Sequence, residues 1–271
     1  MQKFVSDGIH LAFLDEGAGE PVLLIHGFAS SVRHNWIEPG WVSFLLRHEY
    51  RVIAFDNRGH GASDKLYDRA LYGAPLMAAD ARRLMDYLSI ARADVMGYSM
   101  GARITAFLAL SHPNRVRSAI FGGLGANMVR PMAGTGPIAA ALEAASIDEV
   151  KNATARTFRA FAERTGSDLK ALAACIRGSR EAITKDMVAS LTCPVLVPRG
   201  PRTSSAGKPT NSPRSFQAHK PCRSHAAITC SPSEIGSTRT GFSPSCGSGP
   251  KQHEPEQRKD GLRLPGSWPG R

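Results

Sequence analysis

The stretch ADVMGYSMG, residues 93–101, decides the fold of this chain. Its first half is an apolar run typical of a buried strand, and a helix-like pattern begins directly after Ser99. A turn tight enough to join the two brings backbones together at Gly97 and Gly101, where a Cβ would collide. The pattern therefore predicts a strained strand-to-helix turn that lifts the Ser99 hydroxyl above a parallel sheet.

This turn has a chemical consequence for Ser99. A helix that begins at Met100 points its unpaired backbone N–H groups and its positive dipole end toward any negative oxygen formed at Ser99. A Gly-x-Ser-x-Gly pentapeptide also occurs by chance in many chains, and alone it would favour an ordinary turn. The surrounding sequence has to decide between that alternative and a nucleophile elbow.

Two further patterns stand upstream of this turn. The apolar run PVLLI, residues 21–25, ends in His26-Gly27-Phe28, and the run RVIAF, residues 51–55, ends in DNRGHGAS, residues 56–63. Together with the serine turn they follow the order of the α/β-hydrolase family, which this chain resembles over residues 1 to about 198. The resemblance implies an α/β fold with a mostly parallel central sheet, flanking helices and a helical cap insertion.

The resemblance also implies roles for individual residues. Ser99 would be the catalytic nucleophile, and the backbone N–H groups of Phe28 and Met100 would form the oxyanion hole. His26 could be interpreted as a general base, but the family's histidine at this place usually orders the neighbouring loop, and His60 would have a similar structural role. The residues with an implied structural role in the motifs are His26, Gly27, Asp56, Arg58, Gly97 and Gly101.

Serine at the elbow, where aspartate would indicate an epoxide hydrolase or dehalogenase, favours acyl-type chemistry on esters, lactones or activated carbon–carbon bonds. The implied partner is a small-molecule carbonyl substrate. This chemistry needs only side chains and water, so no cofactor and no metal is expected. The five cysteines show neither metal-ligand nor Cys-x-x-Cys spacing, and we expect free thiols, with Cys175 and Cys193 in the core.

The apolar periodicity and the resemblance together suggest four segments. We predict a hydrolase core over residues 1–126, a helical cap over 127–191, a returning core strand over 192–198 and a disordered tail over 199–271. The predicted order has three strands before the first helix, which spans residues 76–90. That helix should turn one apolar face inward and its charged residues outward, the apolar residues being Met77, Ala81, Leu84, Met85 and Leu88 and the charged ones Asp80, Arg82, Arg83 and Asp86.

Residues 201–271 differ from the rest of the chain in composition. They hold 10 of the 18 prolines, and 11 Lys and Arg against 4 Asp and Glu, without hydrophobic periodicity. Much of the net charge of +11 therefore belongs to this tail. It lacks dense Lys/Arg runs and interleaved aromatics, so we expect disorder and no nucleic-acid or membrane partner. No apolar run approaches the length of a membrane span, and the expected location is the cytoplasm.

No acid and no general base stand where the resemblance implies them. The strand predicted over 193–197 is followed by no carboxylate before Glu234, and none follows directly after the strand that ends near Phe121. The tail histidines lie in no strand-like context; they are His219, His225 and His253. We therefore expect a poor catalyst, and also low stability, because a missing final strand would leave a sheet edge exposed.

Codon degeneracy suggests a cause for these missing residues. Back-translated and read one base earlier, residues 199–203 can encode Gly-Thr-Lys-Asp, and residues 226–235 can encode Gly-Asp-His-Met-Leu-Ala-Val-Gly-Asp. The two stretches resemble the family's acid motif and histidine loop. Our hypothesis is a frameshift near Val197 that replaced the C-terminal quarter of a complete hydrolase, and sequencing of the gene tests it.

Three functions remain open at this point. The first is a serine hydrolase impaired by the loss of its acid and base. The second is a working hydrolase in which a tail histidine, such as His253, folds back as the base. The third is a non-catalytic protein that binds a ligand under its cap. We favour them in that order.

Overall fold

Five parallel strands form the centre of the sheet, and their pairing places three predicted motifs at neighbouring strand ends. A computed structural model describes residues 1–130, 135–179 and 181–198. The strands in this part of the chain are β1 (Gln2–Ser6), β2 (Ile9–Glu16), β3 (Pro21–Ile25), β4 (Arg51–Phe55), β5 (Ala93–Tyr98), β6 (Val116–Gly122) and β7 (Val195–Leu196). They pair in the order β1-β2-β4-β3-β5-β6-β7. The two pairs that involve β2 are antiparallel, and the others are parallel.

Helices cover both faces of this sheet. The α-helices of the described residues are α1 (Trp41–Arg47), α2 (Ala74–Tyr87), α3 (Met100–Ser111), α4 (Thr135–Glu143), α5 (Ala153–Arg164), α6 (Leu169–Gly178) and α7 (Lys185–Ala189). The segment from α4 to α7 lies between β6 and β7 in the chain, and we call it the helical insertion. A mostly parallel sheet with flanking helices is the predicted α/β-hydrolase architecture, and the prediction is confirmed.

Strand β3, at the centre of the sheet, is apolar along its whole length because both of its faces are covered. In β3, Leu23 and Ile25 belong to one buried cluster, whereas Val22 and Leu24 belong to a second cluster. Successive side chains of a strand point to opposite faces, so the two clusters lie on the two sides of the sheet. This burial on both sides holds the ends of β3, β4 and β5 in fixed register.

Helix α2 covers the sheet with the predicted apolar face. Its residues Met77, Ala81, Leu84 and Met85 are fully buried, and Leu88 packs against the same cluster. The prediction for Asp80 is wrong, because its carboxylate is fully buried and accepts two 2.7 Å hydrogen bonds from Arg58. Polarity alone places an aspartate outside, but a bidentate cation from a distant loop compensates for the loss of water.

The start of the chain contains more elements than predicted. Four strands precede α2, and α1 stands between the third and the fourth. β1 and β2 form a hairpin through Asp7 and Gly8, which both have positive φ, as a two-residue type I′ turn requires. Helix α1 has only seven residues, too few for a clear helical period, although Trp41, Val42, Phe44 and Leu45 are buried.

The helical insertion agrees in type with the helical pattern predicted for this stretch, but its details differ. Residues Ile147–Glu149 form only a 3-10 turn, in which Ser146 accepts a hydrogen bond from the Asp148 N–H. Helix α5 begins later, with Asn152 as its N-cap. Strand β7 has two residues, fewer than predicted, and the predicted tail lies outside the described residues.

Candidate active site

Ser99 lies on the tight connection between β5 and α3. Its backbone has φ 51° and ψ −112°, an uncommon conformation for a residue with a side chain. A Cβ at Gly97 would come within 2.2 Å of the Gly101 carbonyl oxygen, and a Cβ at Gly101 would come within 2.0 Å of the Ile25 carbonyl oxygen. Both positions therefore leave room only for glycine, and the close packing holds the strained serine in place.

The start of α3 exposes a hydrogen-bond donor beside Ser99. The Ser99 carbonyl accepts from the N–H groups of Ala102 and Arg103, as in a helix that has begun. Among the described residues, neither the Met100 N–H nor the half-buried Ser99 hydroxyl has a hydrogen-bond partner. The positive end of the helix dipole adds to the pull of this N–H on a negative oxygen.

A second donor comes from the loop after β3, residues 26–31, which we call the β3 loop. A Cβ at Gly27 would lie 3.5 Å from the Ser99 Cβ, so the β3 loop passes close to the elbow. The Gly27 carbonyl bonds with His26 Nδ1 at 2.8 Å and with the Ser30 N–H at 3.3 Å. In a trans peptide the N–H points opposite to the carbonyl, so the Phe28 N–H points away from His26. It has no acceptor within the described part of the chain.

His26 is engaged through both of its ring nitrogens. Its Nε2 accepts a hydrogen bond from the Asn57 N–H at 2.9 Å, so in the neutral ring the proton is on Nδ1, which donates to the Gly27 carbonyl. Burial lowers the pKa of His26 to about 4, because a charged imidazole would lose its water. The geometry therefore favours the loop-ordering interpretation of His26 over that of a general base.

His60 lies next to this ring and is also fully buried. The two imidazole centres are 5.3 Å apart, and the Phe28 ring is 5.9 Å from His60. Burial is the main cause that lowers the pKa of His60 to about 3, and the neighbouring His26 adds to it. Its Nδ1 bonds with the Arg58 carbonyl at 2.9 Å, while Nε2 has no partner among the described residues.

Asp56 and Arg58 connect the loops around the elbow. The Asp56 carboxylate accepts from the N–H of Val32, just after the β3 loop, and from the N–H of Ala62, both at 2.7 Å. Arg58 reaches Asp80 on α2 and the Leu71 carbonyl, the latter at 2.7 Å. These contacts are those of groups that hold loops in shape, with no free donor or carboxylate directed at Ser99.

The helical insertion contacts the side chains of Met100 and Phe28. Helix α6 brings the Cys175 Sγ to 3.9 Å from the Met100 Sδ, and α5 brings the Phe158 ring to 6.0 Å from the Phe28 ring. Cys175 is fully buried, and burial raises the pKa of its thiol to about 12, as expected of a core residue. Arg103 on α3 donates at 3.0 Å to the carbonyl of Met128, before the helical insertion, and to that of Glu181, within it.

Two polar residues of this region were not predicted from the sequence. Asn35 accepts a hydrogen bond from the Gly27 N–H at 3.0 Å, and Thr165 reaches the Ala29 carbonyl. An asparagine beside a buried Trp36 was a weak signal for the first, and nothing in the sequence indicated the second. The structure brings Ser99, Phe28 and Met100 together, while His219, His225 and His253 lie outside the described residues.

One cleft among the described residues lies away from Ser99. It has a volume of about 480 Å³, and none of its lining residues belongs to the elbow or to the β3 loop. Its lining is largely charged and consists of Tyr67, Asp68, Arg69, Glu143, Lys170, Ala174 and Arg177. Within the described residues, no helix is both long and apolar enough to cross a bilayer.

Comparison with known proteins defines the class. The model of the alpha/beta hydrolase fold family matches residues 20–231, so the chain belongs to this family and is by family a hydrolase. Over 120 residues it is 32% identical to a putative 2-succinyl-6-hydroxy-2,4-cyclohexadiene-1-carboxylate synthase of Bacillus subtilis, covering 43% of this chain and 41% of that protein. It is 39% identical over 105 residues to a fluoroacetate dehalogenase of a Burkholderia species, covering 38% of this chain and 33% of the relative.

The matches thus span about two fifths or less of these curated relatives. Among solved structures, the enol-lactonase from Burkholderia xenovorans LB400 superposes with a TM-score of 0.60 at 19% identity. This superposition covers 72% of this chain and 80% of the other, and at that identity it supports the fold alone. The family acts on small molecules, and the reactions named for these relatives differ from one another.

Proposed function

We propose that this chain is a serine hydrolase in which Ser99 is the nucleophile and the backbone N–H groups of Phe28 and Met100 form the oxyanion hole. The observation that carries the proposal is the close approach of the β3 loop to the elbow at Gly27, next to two N–H groups that have no acceptor among the described residues. The proposed substrate is a small ester, lactone or similar carbonyl compound.

The chemistry follows from this arrangement. The Ser99 Oγ attacks the carbonyl carbon, a C–O bond forms, and the hydroxyl proton passes to water. The π electrons of the carbonyl move to its oxygen, where the two N–H groups donate. Loss of one such donor costs about 2.7–4 kcal/mol of transition-state stabilisation in a well-studied protease. The intermediate then expels the leaving oxygen, which takes up a proton, and water later cleaves the acyl-enzyme.

We further propose that the reaction is slow in this chain. The general base and the acid remain unassigned, because His26 already uses both nitrogens and no carboxylate closely follows β6 or β7 in the sequence. Removal of a triad member leaves a residual rate of about 10³ to 10⁴ over water. The segment divisions predicted above belong to the same proposal, with residues 127–191 acting as a cap on the core of residues 1–126.

The test is labelling of the full chain with an alkyl fluorophosphonate, followed by mass spectrometry of the peptides. The Ser99 oxygen displaces fluoride from phosphorus, so a P–O bond replaces the P–F bond and the hydroxyl proton leaves with fluoride as HF. We expect Ser99 to be labelled, more slowly than the corresponding serine of an intact relative. Ser99→Ala should abolish the label, while Ser190→Ala, at the exposed serine directly after α7, should keep it.

Three outcomes would revise the proposal. Labelling that is equal in the Ser99→Ala variant would overturn the role of this residue. A rate equal to that of the intact relative would overturn the proposed impairment, and its loss in His253→Ala would assign the base to the tail. Saturable binding of an ester without any labelling or turnover, retained in Ser99→Ala, would instead indicate a binding protein.

A further inference from the structure

The carbonyl of Ala29 in the β3 loop is held by the helical insertion. Ala29 is fully buried and has φ 57°, a left-handed conformation that an alanine adopts at a cost. Its carbonyl oxygen lies 3.1 Å from the Thr165 hydroxyl and 3.5 Å from the Ser167 hydroxyl. Among the described residues, these two hydroxyls are its only hydrogen-bond donors. A strained, buried carbonyl thus depends on side chains more than 130 positions away in the sequence.

The single proton of Thr165 has three carbonyls within reach. The Phe161 carbonyl already accepts from the Thr165 N–H, and the Ala162 carbonyl already accepts from the Ser167 N–H. Only the Ala29 carbonyl would be left without a backbone donor. Because an unsatisfied buried carbonyl is costly, the proton is best placed on Ala29. Ser167, 2.9 Å from Thr165, can then donate to the threonine oxygen.

A second contact joins the same two segments. The Phe158 ring meets the Phe28 ring with centroids 6.0 Å apart and planes at 63°, an edge-to-face arrangement. Phe158 and Thr165 are seven residues apart, which is about two helical turns, so they lie on the same side of α5. Thr165 is the residue directly after the last turn of this helix. This side of α5 therefore contacts two consecutive residues of the β3 loop, Phe28 and Ala29.

We propose that Thr165 is a positioning residue that holds the β3 loop in the conformation in which the Phe28 N–H faces Ser99. This inference rests on the proposed function, since it assumes that the Phe28 N–H stabilises the transition state. Asn35 and His26 orient the two peptides on either side of Gly27. On the side of the helical insertion, the Thr165 hydroxyl holds the Ala29 carbonyl by a hydrogen bond. The helical insertion thereby helps to build the oxyanion hole as well as to cover it.

The test measures saturation kinetics of fluorophosphonate labelling at Ser99 in the full chain. Thr165→Val keeps the shape of the side chain and removes the hydroxyl, and we expect the maximal labelling rate to fall on the order of tenfold. The probe concentration at half-saturation should change little, because binding of the apolar part of the probe does not use the Phe28 N–H. Thr165→Ser keeps a hydroxyl and should restore the rate.

Two controls separate positioning from folding. Thr157 lies on the same helix, is exposed and bonds only to the Ala153 carbonyl of its own helix, so Thr157→Val should label as the wild type does. The final labelled fraction counts folded molecules and should be unchanged in Thr165→Val. If this variant does not fold, Thr165→Ala against Thr165→Ser repeats the comparison with a smaller side chain. The double variant Thr165→Val with Ser167→Ala should have a lower maximal labelling rate than Thr165→Val alone, because no hydroxyl then reaches the Ala29 carbonyl.

The outcomes are distinguishable. Equal maximal rates in wild type, Thr165→Val and the double variant would overturn the inference and leave the role of Ser99 intact. A change confined to half-saturation would likewise overturn it, since it would place Thr165 in substrate binding. No label at Ser99 in the wild type would overturn the proposed function, and this inference with it.

Discussion

Around Ser99, single residues contribute through the absence of a side chain or through an uncharged ring. Gly97 and Gly101 have no side chain, which lets β3, β5 and α3 approach to the distance of touching backbones. Burial keeps His26 neutral, and its hydrogen bond to the Gly27 carbonyl fixes the peptide next to it. The geometry at the proposed oxyanion hole therefore depends on packing and on neutral hydrogen bonds.

Gly101→Ala tests this at one residue. The new Cβ would meet the carbonyl oxygens of Ile25 and His26 at 2.0 and 2.7 Å, and backbone cannot yield easily, so we expect a loss of about 1–3 kcal/mol in the free energy of unfolding, or more. Urea unfolding measures it. Gly136→Ala, in α4 with no atom within 4 Å of the new Cβ, should change stability by less than about 1 kcal/mol. Equal stability of both variants would contradict the packing argument.

At the level of elements, a buried ion pair joins α2, β1 and the turn after β4. Arg58 donates twice to Asp80, and the Ser6 hydroxyl donates to the same carboxylate at 2.6 Å. Both charged side chains are almost completely buried. Desolvation offsets much of the attraction in such a pair, but removing one partner leaves the other charge buried alone.

Asp80→Asn should therefore destabilise the protein by about 3–5 kcal/mol. Glu38→Gln, which breaks the exposed ion pair with Arg33, is the control and should cost no more than about 1 kcal/mol. Denaturant unfolding of the two variants against the wild type gives both numbers. Joint replacement of Arg58 by Met and Asp80 by Leu should cost less than Asp80→Asn alone. Equal losses of unfolding free energy in Asp80→Asn and Glu38→Gln would show that the buried ion pair does not hold these elements together.

For the molecule as a whole, the two buried histidines predict a pH dependence of stability. The pKa values of His26 and His60 are about 4 and about 3 in the folded chain, against about 6.5 in the unfolded chain. Below pH of about 6.5 the unfolded chain takes up protons that the folded chain does not, so the free energy of unfolding falls as the pH is lowered. The loss continues through pH of about 4 for His26 and about 3 for His60.

Urea unfolding measured at a series of pH values from about 4.5 to about 7.5, a range that includes the unfolded-state pKa, checks this expectation. The wild type should lose stability steadily below pH of about 6.5, and His60→Gln should lose less over the same range because one titrating group is gone. Asp64 and Glu143, whose pKa values are lowered by hydrogen bonds in the folded chain, act in the same direction at more acid pH. Identical slopes in the two proteins would show that His60 is not held neutral by the fold.

The sequence by itself determined the family, the position of the elbow and the strand ends that meet there. These features are local, because a strand pattern, a glycine and a serine at fixed spacing need no distant partner to be recognised. The pattern around Ser99 thus predicted the connection between β5 and α3 correctly, and the same holds for the inward face of α2.

Only the tertiary structure decided which polar groups are buried and what satisfies them. The sequence pattern places Asp80 on the surface, whereas the structure buries it beside Arg58, which comes from another loop. The sequence likewise gives no sign that the Thr165 hydroxyl lies beside the Ala29 carbonyl. The energy of burying a polar group depends on a partner that the chain brings from far away, so no local pattern encodes it. The role proposed for Thr165 follows from such a long-range pair.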